Sequence, residues 1–233
     1  INWKGSLEWF KNNDENQNML KKVEVIQGFG SEAKIISKEE ALGYEPNVLL
    51  NQNLITRSPR DGVINPVQAI NKMIQEIQSK GGKVIFPAEF LELTANKGGV
   101  IAKTSHGLIK ADKIVYACGT NSNLVAQGKY LKPPTPGLIV TSKPFKQTIN
   151  KILVGPGVHV YQRRDGVVIL GEQGKPPTNH DQRLSQRPEQ FPNQPLSIEH
   201  GQRIVNLAAN FIPQFKDLII EKVEIGWRPL PLD

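Results

Sequence analysis

The stretch DGVINPVQAINKMIQEIQSKGGKVIF, residues 61–86, constrains the fold more than any other part of the chain. Asn65 is a capping residue, Pro66 fits the first helical turn, and Val67, Ile70, Ile74 and Ile77 recur on one helical face. Gly81 and Gly82 end that helix, and KVIF (83–86) is expected to resume as a strand. GVIAKTSHGLIKADKIVYACGT (99–120) then reads as two strands around a His106-Gly107 turn, leading into a third, KIVYACG. A capped helix, a strand, a hairpin and an apolar strand together predict a mixed α/β layer.

The remaining segments suit such a layer. Residues 1–20 predict a strand and a short helix, and VEVI (23–26) alternates in the manner of a strand. Ser37, three residues before Glu40, forms a capping box for a short helix that stops before Pro46. Beyond Tyr130 a proline-rich connector, LKPPTPG, leads to the strand candidates LIVTSKPF, GVHVYQRR and GVVILGEQ, the last two joined at an Arg164-Asp165-Gly166 turn. Residues 174–195 read as a long polar loop, either a cover over a pocket or inert surface. SIEHGQRIVNLAANFIPQF (197–215) is an amphipathic helix with Ile204, Leu207, Ala208 and Phe211 on one side. LIIEKVEIGWRPLPLD closes the sequence with a strand and a proline-rich loop.

Composition narrows the function. With 233 residues the chain is long enough for one large domain or two small ones. The net charge of +7 raises a polyanionic partner, but the basic residues, among them Lys21, Lys22, Arg163 and Arg164, are scattered and form no contiguous patch. Nucleic acid is therefore not the expected ligand. One cysteine excludes an internal disulfide and suits a reducing, cytoplasmic setting. No apolar run has the length of a membrane span, and the histidines show no metal-ligand spacing. The opening INWKGSLEWF reads as the middle of a domain, so the sequence is taken as a piece of a longer chain.

Motif by motif, little chemistry survives. QGFGSEA (27–33) has Gly-x-Gly-x-x-Ala spacing, but a dinucleotide fingerprint needs a helix starting inside the motif, and none is predicted before Ser37. SKGGKV is a helix end and not a phosphate loop. Cys118 reads as a small buried hydrophobe more readily than as a nucleophile. Two features are left. KIVYACGTNS delivers small residues to a strand end, where backbone can lie close to a ligand. GWRPLP (226–231) holds Arg228 on a stiff loop, and a planar guanidinium there suits two-point capture of a carboxylate.

Taken in order, DGVINP, the helix, KGGKVIF, TSHGLIKADKIVYACGTNS, VHVYQRRDGVVILGEQ and GWRPLPLD resemble the FAD-dependent D-amino acid oxidase superfamily, which includes glycine oxidase and sarcosine oxidase. IISKEEALGYEP (35–46) is also similar to text usual in that family, and the resemblance runs over most of the chain. It implies a mixed α/β (α+β) fold, with a partial FAD-binding Rossmann-like layer and an antiparallel-sheet substrate domain. The implied boundaries are 1–60 and 129–227 for the substrate domain, 61–128 for the middle of the FAD-binding domain, and 228–233 for the return toward it. The family's N-terminal Gly-x-Gly-x-x-Gly turn and the glycine-rich segment beyond G-x-R-P are absent from this sequence. The piece alone is therefore expected to be inactive and not to retain FAD.

The resemblance also implies roles. Arg228 is similar to the arginine that holds the substrate carboxylate. Phe90 falls where the family's backbone lies against the adenine, and Ala117, Cys118, Gly119 and Thr120 resemble the Ala-x-Gly stretch near the cofactor. His159, with Tyr161 two residues on and hence on the same face, falls where glycine oxidase-like members have a pocket tyrosine. The implied reaction is oxidation of an amine or amino acid, with hydride transfer to FAD and an imine product. Three alternatives stand beside it: a cofactor-free interaction module of the same family, a basic anion- or nucleic-acid-binding protein, and a dehydrogenase that delivers electrons to a quinone or a protein.

Overall fold

The computed structural model describes residues 1–10, 13–96, 98–122, 135–173 and 194–229. In chain order the strands are β1 (Asn2–Trp3), β2 (Ser6–Glu8), β3 (Lys34–Ile36), β4 (Ile55–Ser58), β5 (Gly62–Val63), β6 (Phe90–Asn96), β7 (Gly99–Thr104), β8 (Gly107–Ala111), β9 (Thr135–Ser142), β10 (Ile152–Gly155), β11 (Val158–Gln162), β12 (Val168–Glu172) and β13 (Ile220–Arg228). The α-helices are α1 (Asn13–Gly28), α2 (Lys38–Tyr44), α3 (Pro66–Ser79) and α4 (Gln194–Ala209). The chain divides into two units, one formed by Ile1–Val63 with Thr135–Arg228 and the other by Ile64–Pro134 with Pro229–Asp233.

The first unit is built on an eight-stranded mixed sheet in the order β13-β9-β12-β11-β10-β2-β4-β3. Its pairings are antiparallel except for β10 beside β2, which run parallel. Alternation along the strands decides what each face does. Leu138, Val140, Val158, Val160, Val168 and Leu170 are buried on one face, and α4 packs with them in the hydrophobic core through Ile204, Val205 and Ala208. Phe211 and Phe215, in the turn and 3-10 segment that follow, complete this core. The intervening residues Ile139, His159, Tyr161 and Ile169 stand on the other face and are half-buried or exposed.

Two buried polar groups anchor the connection between β9 and β10, one from β11 and one from the end of α2. Gln162 is fully buried; its Oε1 accepts the Thr148 and Ile149 N–H groups at 2.8 and 3.3 Å, and its Nε2 donates to the carbonyls of Phe145, Lys146 and Gly166. Glu45, at the end of α2, is also fully buried, and its Oε1 accepts N–H groups of Asn150, at 2.7 Å, and Lys151. Burial pushes its carboxyl above the ordinary glutamate value, against the opposing effect of those two hydrogen bonds.

The predicted caps are present. Ser37 Oγ accepts the Glu40 N–H at 3.2 Å, and Asn65 Oδ1 accepts the Gln68 N–H at 3.1 Å ahead of Pro66. VEVI is not a strand: it lies in α1, where Met19, Val23 and Ile26 recur at helical spacing and the first two are buried. Helix therefore ends inside QGFGSEA instead of beginning there, which disposes of the dinucleotide fingerprint. Strands β6 and β10 were not singled out in the sequence, and most of the long polar loop at 174–195 lies outside the described residues.

The second unit holds α3 and a three-stranded antiparallel sheet, β6-β7-β8. Here two strand expectations fail. KVIF (83–86) and KIVYACG (113–119) form no strand, because neither run has a ladder partner among the described residues. Extended backbone becomes a strand only when its N–H and C=O groups are paired. For the same reason Cys118 is exposed and not the buried hydrophobe anticipated. The apolar face of α3 forms as the periodicity predicts, yet Val67, Ile70, Met73 and Ile77 stay exposed.

Candidate active site

The half-exposed face of the eight-stranded sheet brings three sequence-predicted residues together. His159 on β11 stands directly opposite Gly171 on β12, which stands opposite Ile139 on β9. Arg228 at the end of β13 pairs with Thr135, in phase with Gly137 and Ile139. Direct opposition places side chains on the same face of a sheet, so Arg228, His159 and, two residues along, Tyr161 share one surface.

Two glycines let these side chains lie flat. A Cβ built on Gly137 would stand 2.8 Å from Nε and Nη2 of Arg228, and one on Gly171 would stand 2.0 Å from Cε1 and Nε2 of His159. The guanidinium thus lies across β9 and the imidazole across β12, each over a residue without a side chain. Arg228 Nη2 also donates to the main-chain carbonyl of Glu172 at 2.9 Å, which carries the guanidinium past β9 to the end of β12.

Electrostatics match this arrangement. Burial, and then the positive charge of Arg228, lower the His159 pKa from its ordinary 6.5, so at neutral pH the imidazole is uncharged. Burial raises the Tyr161 phenol above 10.0, with the Arg163 charge opposing it. The surface therefore sets the guanidinium of Arg228 beside a neutral imidazole, with a neutral phenol two residues along the same strand. It suits a small anion with an uncharged polar body.

On the other face, Glu172 is buried and accepts a hydrogen bond from Nη2 of Arg203 on α4. The glycines, Glu172 and Arg203 were not anticipated as site residues. A glycine within an apolar strand such as VVILGE does signal close approach by another group, whereas nothing near Arg203 in sequence points to β12.

In the second unit, Phe90 on β6 meets Tyr116 edge to face with ring centroids 5.8 Å apart. Ala117, Cys118 and Gly119 are exposed and Thr120 is half-buried. Gly119 has φ +56° and nothing within 4 Å of where a Cβ would stand. Residues 117–120 present main chain unshielded by large side chains, and such a segment fits close approach by a nucleotide cofactor.

Comparison with known proteins gives a consistent result. The family model described as FAD dependent oxidoreductase matches residues 1–233. L-2-hydroxyglutarate dehydrogenase of Salmonella houtenae is 26% identical over 160 residues, which are 61% of this chain and 37% of that protein. L-proline dehydrogenase from P. horikoshii superimposes with a TM-score of 0.83 at 21% identity, covering 99% of this chain and 62% of that one. Glycine oxidase from Geobacillus kaustophilus follows at 0.78 and 16%, with 99% and 60% coverage. The chain thus spans less than two thirds of each of these relatives.

Proposed function

The chain belongs to the FAD dependent oxidoreductase family, and from that membership we propose that it forms the substrate-binding part, with a portion of the cofactor-binding part, of an enzyme that oxidises a carboxylate-bearing amine or amino acid. The observation that carries this reading is the Arg228 guanidinium, laid across Gly137, hydrogen-bonded to the Glu172 carbonyl and neighboured by an uncharged His159.

In this reading Arg228 binds the substrate carboxylate, which keeps the molecule in one orientation on the sheet. A charge-assisted, two-point contact of this kind is both strong and directional. His159 and Tyr161 line the space beside it. Being neutral, they add no charge of their own beside Arg228, and they accept a ligand with an uncharged amine. Ala117, Cys118, Gly119 and Thr120 hold part of the cofactor against their main chain, with Phe90 nearby in the same unit. FAD, when bound, supplies the two-electron acceptor that no side chain provides.

Arg228→Ala in the complete polypeptide carrying FAD tests the reading. Losing the charged partner is expected to raise KM for amino acid substrates by at least tenfold, the equivalent of about 1.5–3 kcal/mol. Amines without a carboxylate should respond little. An unchanged KM for amino acids would refute the assignment.

A further inference from the structure

We infer that the cleft lined by the β10–β11 turn, the end of α4 and residues 49–52 is a second binding site, which takes an uncharged small molecule with an apolar body and amide or lactam groups. The cleft has a volume of about 750 Å³, within the range of small-molecule sites. It is separate from the Arg228 surface. Gly155 stands opposite Val158, in phase with Leu153 and Val160 on the buried face that α4 covers, whereas His159 is out of phase with them and belongs to the other face.

The floor is built by close packing. Trp9 and Phe211 meet edge to face with ring centroids 5.0 Å apart. Both lie against Gly155, where a Cβ would stand 2.7 Å from Phe211 Cε1 and 3.0 Å from Trp9 Cζ2. Main-chain hydrogen bonds tie the walls: Leu49 N–H donates to the Phe211 carbonyl at 2.8 Å, and Gln173 N–H donates to the Gly157 carbonyl at 2.9 Å. The cleft is thus preformed, which spares a ligand the cost of ordering the segments around it.

The lining selects the chemistry of the ligand. None of the described residues that line the cleft is ionisable, although the chain carries a net charge of +7. A charged ligand would lose hydration there without touching a countercharge. Phe10, Leu207 and Leu49, the last 55% exposed, offer apolar surface. Around them stand Asn51, Gln52, Gln173 and Asn210, whose amides each carry an acceptor oxygen and N–H donors. Those four side chains make no hydrogen bond to another described residue. A few convergent polar groups on an apolar lining are the pattern of a small-molecule site, and amides pair best with a group that, like them, both donates and accepts.

The test uses the complete FAD-containing protein and calorimetry. N-acetyl-phenylalanine methylamide is the neutral probe, and N-acetyl-phenylalanine, a carboxylate at neutral pH, is its charged counterpart. The neutral probe is expected to bind saturably, one molecule per chain. Gln52→Leu and Asn210→Leu should each weaken it about three- to tenfold, the scale of one hydrogen bond. Leu49→Asp charges the cleft at an exposed position and should weaken it about tenfold or more, with little change in melting temperature. In Arg228→Ala the neutral probe should keep its affinity within about twofold, and the charged counterpart, deprived of that guanidinium, should bind about tenfold more weakly than the neutral one. Absence of saturable binding would overturn the inference, as would variants at 49, 52 and 210 that all bind like the parent. A tenfold loss of the neutral probe in Arg228→Ala would overturn it too, by placing the probe on the opposite face of the sheet. Carboxylate capture by Arg228 plays no part in these outcomes, so the two readings stand or fall separately.

Discussion

Gly171→Ala probes the surface where it is tightest. The added methyl would stand 2.0 Å from two atoms of the His159 ring, far inside van der Waals contact, so the imidazole must leave its place across β12. Overpacking a fitted site costs about 1–3 kcal/mol, while replacing glycine in a strand returns about 0.5–1 kcal/mol. The net loss should be about 1–2 kcal/mol by urea denaturation. In a His159→Ala background the clash is gone and only the strand gain is left, so there Gly171→Ala should stabilise by about 0.5–1 kcal/mol. The change of sign between backgrounds is the diagnostic. The histidine itself gives a second readout. Its folded pKa lies below 6.5 because of burial and Arg228. Between the folded and unfolded values the unfolded chain binds more protons, so this contribution to stability is complete above about pH 6.5 and is lost as pH falls toward the folded value. Once Gly171→Ala expels the ring, the His159 pKa measured by NMR should return toward 6.5. Equal effects of Gly171→Ala in both backgrounds, with an unmoved His159 pKa, would refute the packing argument.

Two further perturbations test the polar ties behind the sheet. Gln162→Leu keeps the volume but takes the Gln162 partner from the Thr148 and Ile149 N–H groups and from the Phe145 carbonyl, while the Lys146 and Gly166 carbonyls keep the Thr148 hydroxyl and the Phe145 N–H, and should cost about 2–4 kcal/mol in chemical denaturation. Glu45→Ala should cost a similar amount, because the Asn150 and Lys151 N–H groups lose their acceptor, whereas Glu45→Gln keeps that acceptor and should cost less. Burial raises the Glu45 pKa in the fold, with Lys151 and Lys4 opposing. Its contribution therefore weakens as pH rises from the ordinary glutamate value toward the folded one, and this slope should be missing from the pH–stability profile of Glu45→Gln.

Local signals carried much of the architecture. Ser37 and Asn65 cap the helices that their spacing with Glu40 and Pro66 predicts, because a cap is satisfied within one turn and needs nothing distant. The hairpins at His106-Gly107 and Arg164-Asp165-Gly166 likewise depend on a few adjacent residues, and they form. Local pattern misled at VEVI, where four residues alternate like a strand while the wider run with Met19 repeats like a helix. It misled again at KVIF and KIVYACG. Their residues suit strands, but a strand also needs a neighbour to pair with, and no short window of sequence contains that neighbour.

The candidate site divides along the same line. Arg228, His159 and Tyr161 were recognisable one at a time, from residue type, spacing and family resemblance. Sequence by itself determined the capped helix starts, the hairpin turns and which residues carry charge, because those properties depend on the residue and its immediate neighbours. Only the tertiary structure decided that Arg228, from the last strand, meets His159, from a strand some seventy residues earlier, over two glycines on the strands between. Register does this: side chains alternate with period two, and a one-residue slip of β12 against β11 or β9 would turn Gly171 away from His159 and bury the site.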